Sequence, residues 1–281
     1  MDKLLIVDGH NLLFQMFFGM PSRIINGQGK AINGVLGFVG ALLKIIKIVS
    51  PTHIVVLFDG EHENSRTQVD PDYKKNRQGY SDVPDEDNPF SQLGYIYSAL
   101  EFIGIKFFEE DKYEVDDVIA SYVYKYRDTA EIVISSFDSD YFQLIDDNVI
   151  VLRYRGMNTQ ICDKTYVKEK FGILPEFYAD FKSLTGDKSD NIKGAENVGV
   201  KTASALINEF GSLENILKNS EKIKPERIRL SVERSATRLK NNYEIIRLRN
   251  LNKIPYEIEE LDFTVEGINT RSVLRGIGLM N

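Results

Sequence analysis

The stretch LLIVDGHN, residues 4–11, is a four-residue apolar run that ends on an acid. A short unbroken apolar run between polar residues fits a strand buried on both faces, as in a parallel sheet. Asp8 then stands at the strand's carboxyl end. The pattern repeats along the chain. HIVVLFDG (53–60) delivers Asp59 in the same place, and EIVISSFDSD (131–140) delivers Asp138 and Asp140. NVIVLR (148–153) reads as a fourth strand, and residues 34–49, 91–103 and 115–127 between them read as helices. Strands alternating with helices predict an α/β fold with a mainly parallel sheet flanked by helices. In such a sheet the strand carboxyl ends share one rim, and sites are built there.

Two further motifs add acids. YEVDD (113–117) supplies Glu114, Asp116 and Asp117 at the start of a helix, and TGDKSDN (185–191) supplies Asp187 and Asp190. Singly, each has an ordinary explanation: a turn former or N-cap at a strand end, or a favourable acidic first turn. Together they are nine carboxylates in five short motifs, which repel one another without cations. Hard cations that take oxygen ligands, Mg²⁺ or Mn²⁺, are the natural neutralisers. Two such ions on a carboxylate rim are the arrangement for phosphodiester hydrolysis. Rival chemistries lack their residues. Cys162 is the sole cysteine, and His10, His53 and His62 show no HxxxH spacing, which excludes a disulfide framework and argues against zinc. Gly34, Gly37 and Gly40 do not make a dinucleotide fingerprint, and Val200 separates Gly199 from Lys201, breaking a P-loop. Asp8-Gly9-His10 lacks the second acid of a DxD phosphatase.

The 281 residues are 42% hydrophobic and 27% charged, ordinary globular usage. The net charge of -7 is uneven: residues 218–253 hold eleven Lys/Arg and four Glu, while 82–117 hold eleven Asp/Glu and two Lys. A basic segment beside a carboxylate cluster suits a polyanion bound near metal. No stretch has the length or apolarity of a signal or membrane span, so a cytoplasmic protein is expected. Strand signals fade after residue 165. The expected division is residues 1–175, an α/β catalytic domain, and 176–281, a helical region. Residues 76–88 are acidic and nearly devoid of apolar side chains, which predicts a loop or a helix that orders only with a partner.

With these motifs in view, the chain resembles the bacterial 5′ nucleases of the flap-endonuclease family, found free-standing or as the N-terminal domain of DNA polymerase I. LLIVDGHNLLF, VVLFDG, YKKNR, YEVDDVIAS, FDSDYFQL, LTGDKSDNIKG and NVGVKTASALINEFGSLENIL carry the resemblance, in family order from residue 4 to 217. It implies a PIN-like domain, a helical arch at about 73–92 and a helix-3-turn-helix DNA-binding element. The metal-binding acids it implies are Asp8, Asp59, Glu114, Asp116, Asp117, Asp138, Asp140, Asp187 and Asp190. In YKKNR, Tyr73, Lys74 and Arg77 fall on the family's catalytic pattern: the cations to hold the scissile phosphate, the ring to stack on a terminal base. Lys75 is expected to contact phosphate, and Arg66 to be either a phosphate contact or a catalyst. Asn191, Gly194, Gly199, Lys201 and Thr202 are expected to position a duplex without reading its sequence, with K⁺ in their hairpin. Asn197 stands where relatives usually have Gly, and Lys193 where they have Pro.

The function implied is two-metal 5′–3′ exonuclease and flap-endonuclease hydrolysis of DNA, giving 5′ phosphates in replication and repair. Substrates would be 5′ flaps, nicks and 5′ ends, RNA primers included, and the protein a monomer. Two rivals use the same rim: a PIN-like ribonuclease, which would lack the LTGDKSDN and KTA elements, and a junction-binding protein without catalysis, to which nine converging negative charges would bring nothing.

Overall fold

The computed structural model describes residues 1–20, 24–60, 66, 69–76, 79–80, 83–264 and 267–280. Five parallel strands and one antiparallel edge strand form the central sheet, in the order β3-β2-β1-β4-β5-β6. The strands are β1 (Asp2–Asp8), β2 (His53–Asp59), β3 (Lys106–Glu110), β4 (Ala130–Ser135), β5 (Val149–Arg153) and β6 (Gln160–Cys162). β1 pairs on one side with β2, Ile6 opposite Val55, and on the other with β4, Ile6 opposite Ile134. Strand order therefore reverses at the β1/β4 boundary, the switch point at which open α/β sheets leave a crevice beyond the strand ends.

Alternate residues of these strands feed two cores. On one face Leu5 and Val7 join α1 (Gly9–Gly19), α2 (Asn33–Val49) and α3 (Leu93–Ile103). On the other, Leu4 and Ile6 pack on α4 (Val115–Tyr126), and this core runs unbroken into the helical half. That half comprises α5 (Lys164–Phe171), α6 (Tyr178–Thr185), α7 (Val200–Phe210), α8 (Leu213–Lys218) and α9 (Glu226–Ile246). A two-stranded hairpin, β7 (Gly186–Asp187) and β8 (Ile192–Lys193), joins α6 to α7. Each Leu, Ile or Val so enclosed contributes roughly 1.5–3 kcal/mol, so the two halves share much of their stability.

Two strands escape a reading of apolar runs. β3 is half buried and carries Lys106, Glu109 and Glu110, and β6 has only Cys162 buried. The expected boundary also changes meaning at the C-terminus. Phe263 N–H bonds Thr52 O, Ile54 N–H bonds Leu261 O, and α10 (Thr270–Gly276) packs on α2 and α3. Residues from about 258 onward thus return to the sheet. Of the expected arch, residues 71–76 and 85–87 form turns and Pro89–Gln92 a 3₁₀ helix; residues 77–78 and 81–82, with Arg77, lie outside the described residues.

Candidate active site

The strand ends do converge. Asp8 closes β1 and caps α1, its Oδ1 accepting Asn11 N–H at 3.0 Å. Its Oδ2 accepts the Ser136 hydroxyl, just past β4, at 2.9 Å. One carboxylate oxygen of Asp8 therefore caps α1 while the other is held by Ser136. Asp59 ends β2 and accepts the first N–H of α4, from Val115, at 2.9 Å. That bond sets α4 against the rim and brings Asp116 to it. The Tyr141 hydroxyl lies 2.5 Å from Asp116 Oδ1 and 3.3 Å from Asp8 Oδ2. Asp138 accepts Asp140 N–H in the turn after β4. A cleft of about 640 Å³ opens over Asp8, Asp59, Asp116 and Asp138, with Lys74 in its lining. His10, Phe14, Tyr80 and Phe90 form its aromatic wall, with Phe14, Tyr80 and Phe90 mutually edge-on at 5.3–5.5 Å.

Glu114, Asp117, Asp140 and Asp187 are met by cations of the protein itself. Lys182, on α6, is buried and bonds both Asp140 and Asp187, the latter at 2.5 Å. Burial alone would lower its pKa; Asp140, Asp138 and Asp187 raise it well above the ordinary lysine value. Partial burial would push Asp187 up, but Lys182 and Ser189 hold it below the usual carboxylate range. Arg66 is buried between Glu114 and Asp117, 3.0 Å from the latter, and Lys74 Nζ lies 3.1 Å from Glu114. Asp117 also accepts Arg249 N–H at 2.9 Å. It thus locks the C-terminal side of α9 to α4 and does not line the cleft. Asp190 is buried, and its carbonyl accepts Lys74 N–H.

The acids at the cleft, and Asp140 behind it, are raised by burial all the same. Burial, then the charge of Asp116, pushes Asp8 up to about 8, with Asn11 N–H opposing and Asp59 adding. Burial and Asp116 also raise Asp138, against Lys182. Burial brings Asp140 to about 7, with Lys182 holding it from rising further. Buried acids that share a cleft and resist ionisation are what a hard cation with oxygen ligands relieves, so the donor set fits Mg²⁺ or Mn²⁺. Among the described residues, no three His, Cys, Asp or Glu groups close on one point.

The other expected contacts divide. Tyr73 is buried against Ala179, Ile192, Ile245 and Ile246, so its ring is not available to stack on a base. Arg66 is enclosed in ion pairs, which removes it from any DNA surface. Lys75 is exposed and pairs with Asp72 at 3.1 Å. Asn191 (φ 60°) donates from Nδ2 to Asp72 O at 2.9 Å, and Asn76 donates to Lys188 O. These bonds stitch the 72–76 turn to the hairpin. Gly194 is needed for close packing: a Cβ there would lie 2.3 Å from Leu184 O. Gly199 caps α7, followed by exposed Lys201 and half-buried Thr202. Asn197 takes φ 62°, a left-handed conformation that Asn tolerates where Gly is usual. Sequence reasoning missed Lys182, Tyr141 and Ser136. The available signals were a lysine on the apolar face of α6 and hydroxyls interleaved with FDSD.

Comparison with known proteins accords with this geometry. Residues 3–172 match the N-terminal resolvase-like domain of 5′-3′ exonucleases, and 173–270 their C-terminal SAM fold. A 5′-3′ exonuclease of Aquifex aeolicus is 34% identical over 95% of this chain and 88% of its own length. The thermostable DNA polymerase I of Thermus thermophilus is 34% identical over 92% of this chain but only 30% of its own; the chain spans under a third of that relative. The crystal structure of phage T5 D15 protein with metal ions superposes with a TM-score of 0.70 at 23% identity, covering 89% of this chain and 90% of that one, a likeness of fold. With both halves matched and one exonuclease aligned along nearly its whole length, the chain belongs to the 5′-3′ exonuclease family.

Proposed function

We propose that the protein is a metal-dependent, structure-specific 5′ nuclease that hydrolyses DNA phosphodiesters at 5′ flaps, nicks and 5′ ends, RNA primers included, leaving 5′ phosphates. The observation that carries this is the cleft at the β1/β4 switch point, where Asp8, Asp59, Asp116 and Asp138 face one opening beside Lys74. Two divalent cations, Mg²⁺ or Mn²⁺, would supply Lewis acidity and offset phosphate charge there. Asp8, Asp59, Asp116 and Asp138 are the residues that face such ions, with Asp140, Asp187 and Asp190 behind them. Tyr141 and Ser136 orient the carboxylates by donating to Asp116 and Asp8. Lys74, with Arg77, holds the non-bridging phosphate oxygens and stabilises charge developed on them. Base stacking falls to Phe14, Tyr80 and Phe90, which wall the same cleft. Residues 1–175 carry the chemistry. The hairpin and α7, with Lys201, Thr202 and K⁺, grip duplex phosphates from the helical half. The enzyme acts as a cytoplasmic monomer in replication and repair.

The test is cleavage of a labelled 5′-flap duplex in Mg²⁺, Mn²⁺ or EDTA, with single-stranded RNA as comparison. Metal-dependent cutting near the junction is expected, reduced roughly 10²–10³-fold by Lys74→Ala and abolished by Asp138→Asn. No cutting of any DNA in either metal, or preference for the RNA strand, would sink the reading.

A further inference from the structure

On α9, Arg227, Ser231, Arg234 and Arg238 recur at intervals of four, three and four residues, forming one stripe beside the buried line Ile228, Val232, Ser235 and Leu239. Opposite this stripe lie Glu196 and Asn197 of the turn that leads into α7, and between the two is a cleft of about 440 Å³. Ser231 Oγ donates to Glu196 O at 2.6 Å, and Arg238 donates to Gly194 O and Ser235 Oγ, so helix and turn are held together. Two features separate this stripe from an ordinary solvated helix face. Arg229, on the next stripe, is paired with both Glu226 and Glu233. Among the described residues, Arg227, Arg234 and Arg238 have no carboxylate within ion-pairing distance, and Glu196 is the single acid in the cleft lining. Three guanidinium groups against one carboxylate, in a chain of net charge -7, leave a local surplus of positive charge among the described residues.

We infer that this cleft is a phosphodiester-backbone site, which extends the duplex grip of the hairpin along α9. The inference rests on the DNA reading above and adds a second contact region to it. Helix rise sets Arg227 and Arg234 about 10 Å apart and Arg238 about 6 Å further on. Such a row suits successive phosphates of one strand better than a single small anion. Guanidinium groups bind phosphate oxygens bidentately. The contact would position a duplex and carry no base readout.

Fluorescence anisotropy of a labelled flap duplex with the full chain in EDTA, over a KCl series, tests it. The Arg227→Gln/Arg234→Gln variant is expected to bind more weakly, with the slope of log Kobs against log salt shallower by about 2, near 0.9 per lost phosphate contact. Arg227→Lys/Arg234→Lys should keep most of the slope, and Arg229→Gln should leave it unchanged. Thermal melting of the two double variants should match the parent, because Arg227 and Arg234 are exposed. An unaltered slope in the correctly folded Gln variant would overturn the inference while leaving the nuclease reading intact. Parent protein that binds no duplex at any salt would overturn both. Loss in the variant of inorganic phosphate binding alone, with DNA binding unchanged, would make the cleft a small-anion site and overturn the backbone assignment.

Discussion

Lys182→Met removes the one cation that, among the described residues, lies between Asp140 and Asp187. The three side chains are 7%, 11% and 15% exposed, so water does little to screen the charges left behind. Stranding one side of a buried ion pair costs about 3–5 kcal/mol. The cost here depends on pH, because Asp140 already sits near 7 and Lys182 is what keeps it from rising further. Without the ammonium group Asp140 takes up a proton, and the penalty shrinks at pH 6 while standing nearly whole at pH 8. At about 2–4 °C per kcal/mol for chains approaching this size, a loss of about 3 kcal/mol lowers Tm by about 6–12 °C. Circular-dichroism melts of parent and variant in EDTA, at pH 6 and pH 8, measure this directly. Saturating Mg²⁺ should raise the variant's Tm more than the parent's, because an added cation replaces the charge that was deleted. A variant that melts with the parent in EDTA at pH 8 would refute the reasoning. So would an equal loss at both pH values that Mg²⁺ does not relieve.

Two further outcomes follow from the same geometry. Gly194→Ala places a methyl 2.3 Å from Leu184 O and 2.5 Å from Gly186 N; overpacking against backbone costs about 1–3 kcal/mol or more, read as a lower urea midpoint, and a midpoint equal to the parent's would show the hairpin has room. In EDTA, stability should decline as pH rises from about 4 to about 8. Folded Asp8, raised from 3.8 to about 8 by burial and Asp116, keeps a proton that the unfolded chain has lost, so its contribution is full below pH 4 and gone above its folded value. Urea midpoints at pH 5 and pH 8.5 check the sign, Mn²⁺ should flatten the difference, and a higher midpoint at pH 8.5 in EDTA would contradict it.

What the sequence discloses and what it hides divide by distance along the chain. LLIV, HIVVLF and EIVISS are legible because both faces of those strands are enclosed, which leaves a bare apolar run; Asp8, Asp59 and Asp138 are legible because each follows such a run. β3 is not legible, because an edge strand half in solvent tolerates Lys106, Glu109 and Glu110. The nine acids can be found one motif at a time. Their division of labour cannot, because it is decided by partners far away. Arg66 meets Asp117 across 51 positions and Lys182 meets Asp140 across 42. Tyr73 likewise falls on a recognisable motif, yet the residues that enclose it, Ala179, Ile192, Ile245 and Ile246, lie a hundred or more positions on.

That division explains how so acidic a site folds at all. Arg66, Lys74 and Lys182 match Glu114, Asp117, Asp140 and Asp187, and the N–H groups of Asn11, Val115 and Arg249 bind Asp8, Asp59 and Asp117. Among the described residues, no Lys or Arg pairs with Asp8, Asp116 or Asp138, which receive only hydroxyl or backbone hydrogen bonds. Hydrogen bonds orient a carboxylate without cancelling its charge; burial first, and then the charge of Asp116, raises both Asp8 and Asp138, with Lys182 opposing at Asp138. Adding a lysine there would stabilise the metal-free fold and, in the proposed function, compete with a divalent ion. In the function proposed above, the trio is a stability cost retained where function requires it, the part of the acidic rim that a cation from outside the chain would neutralise.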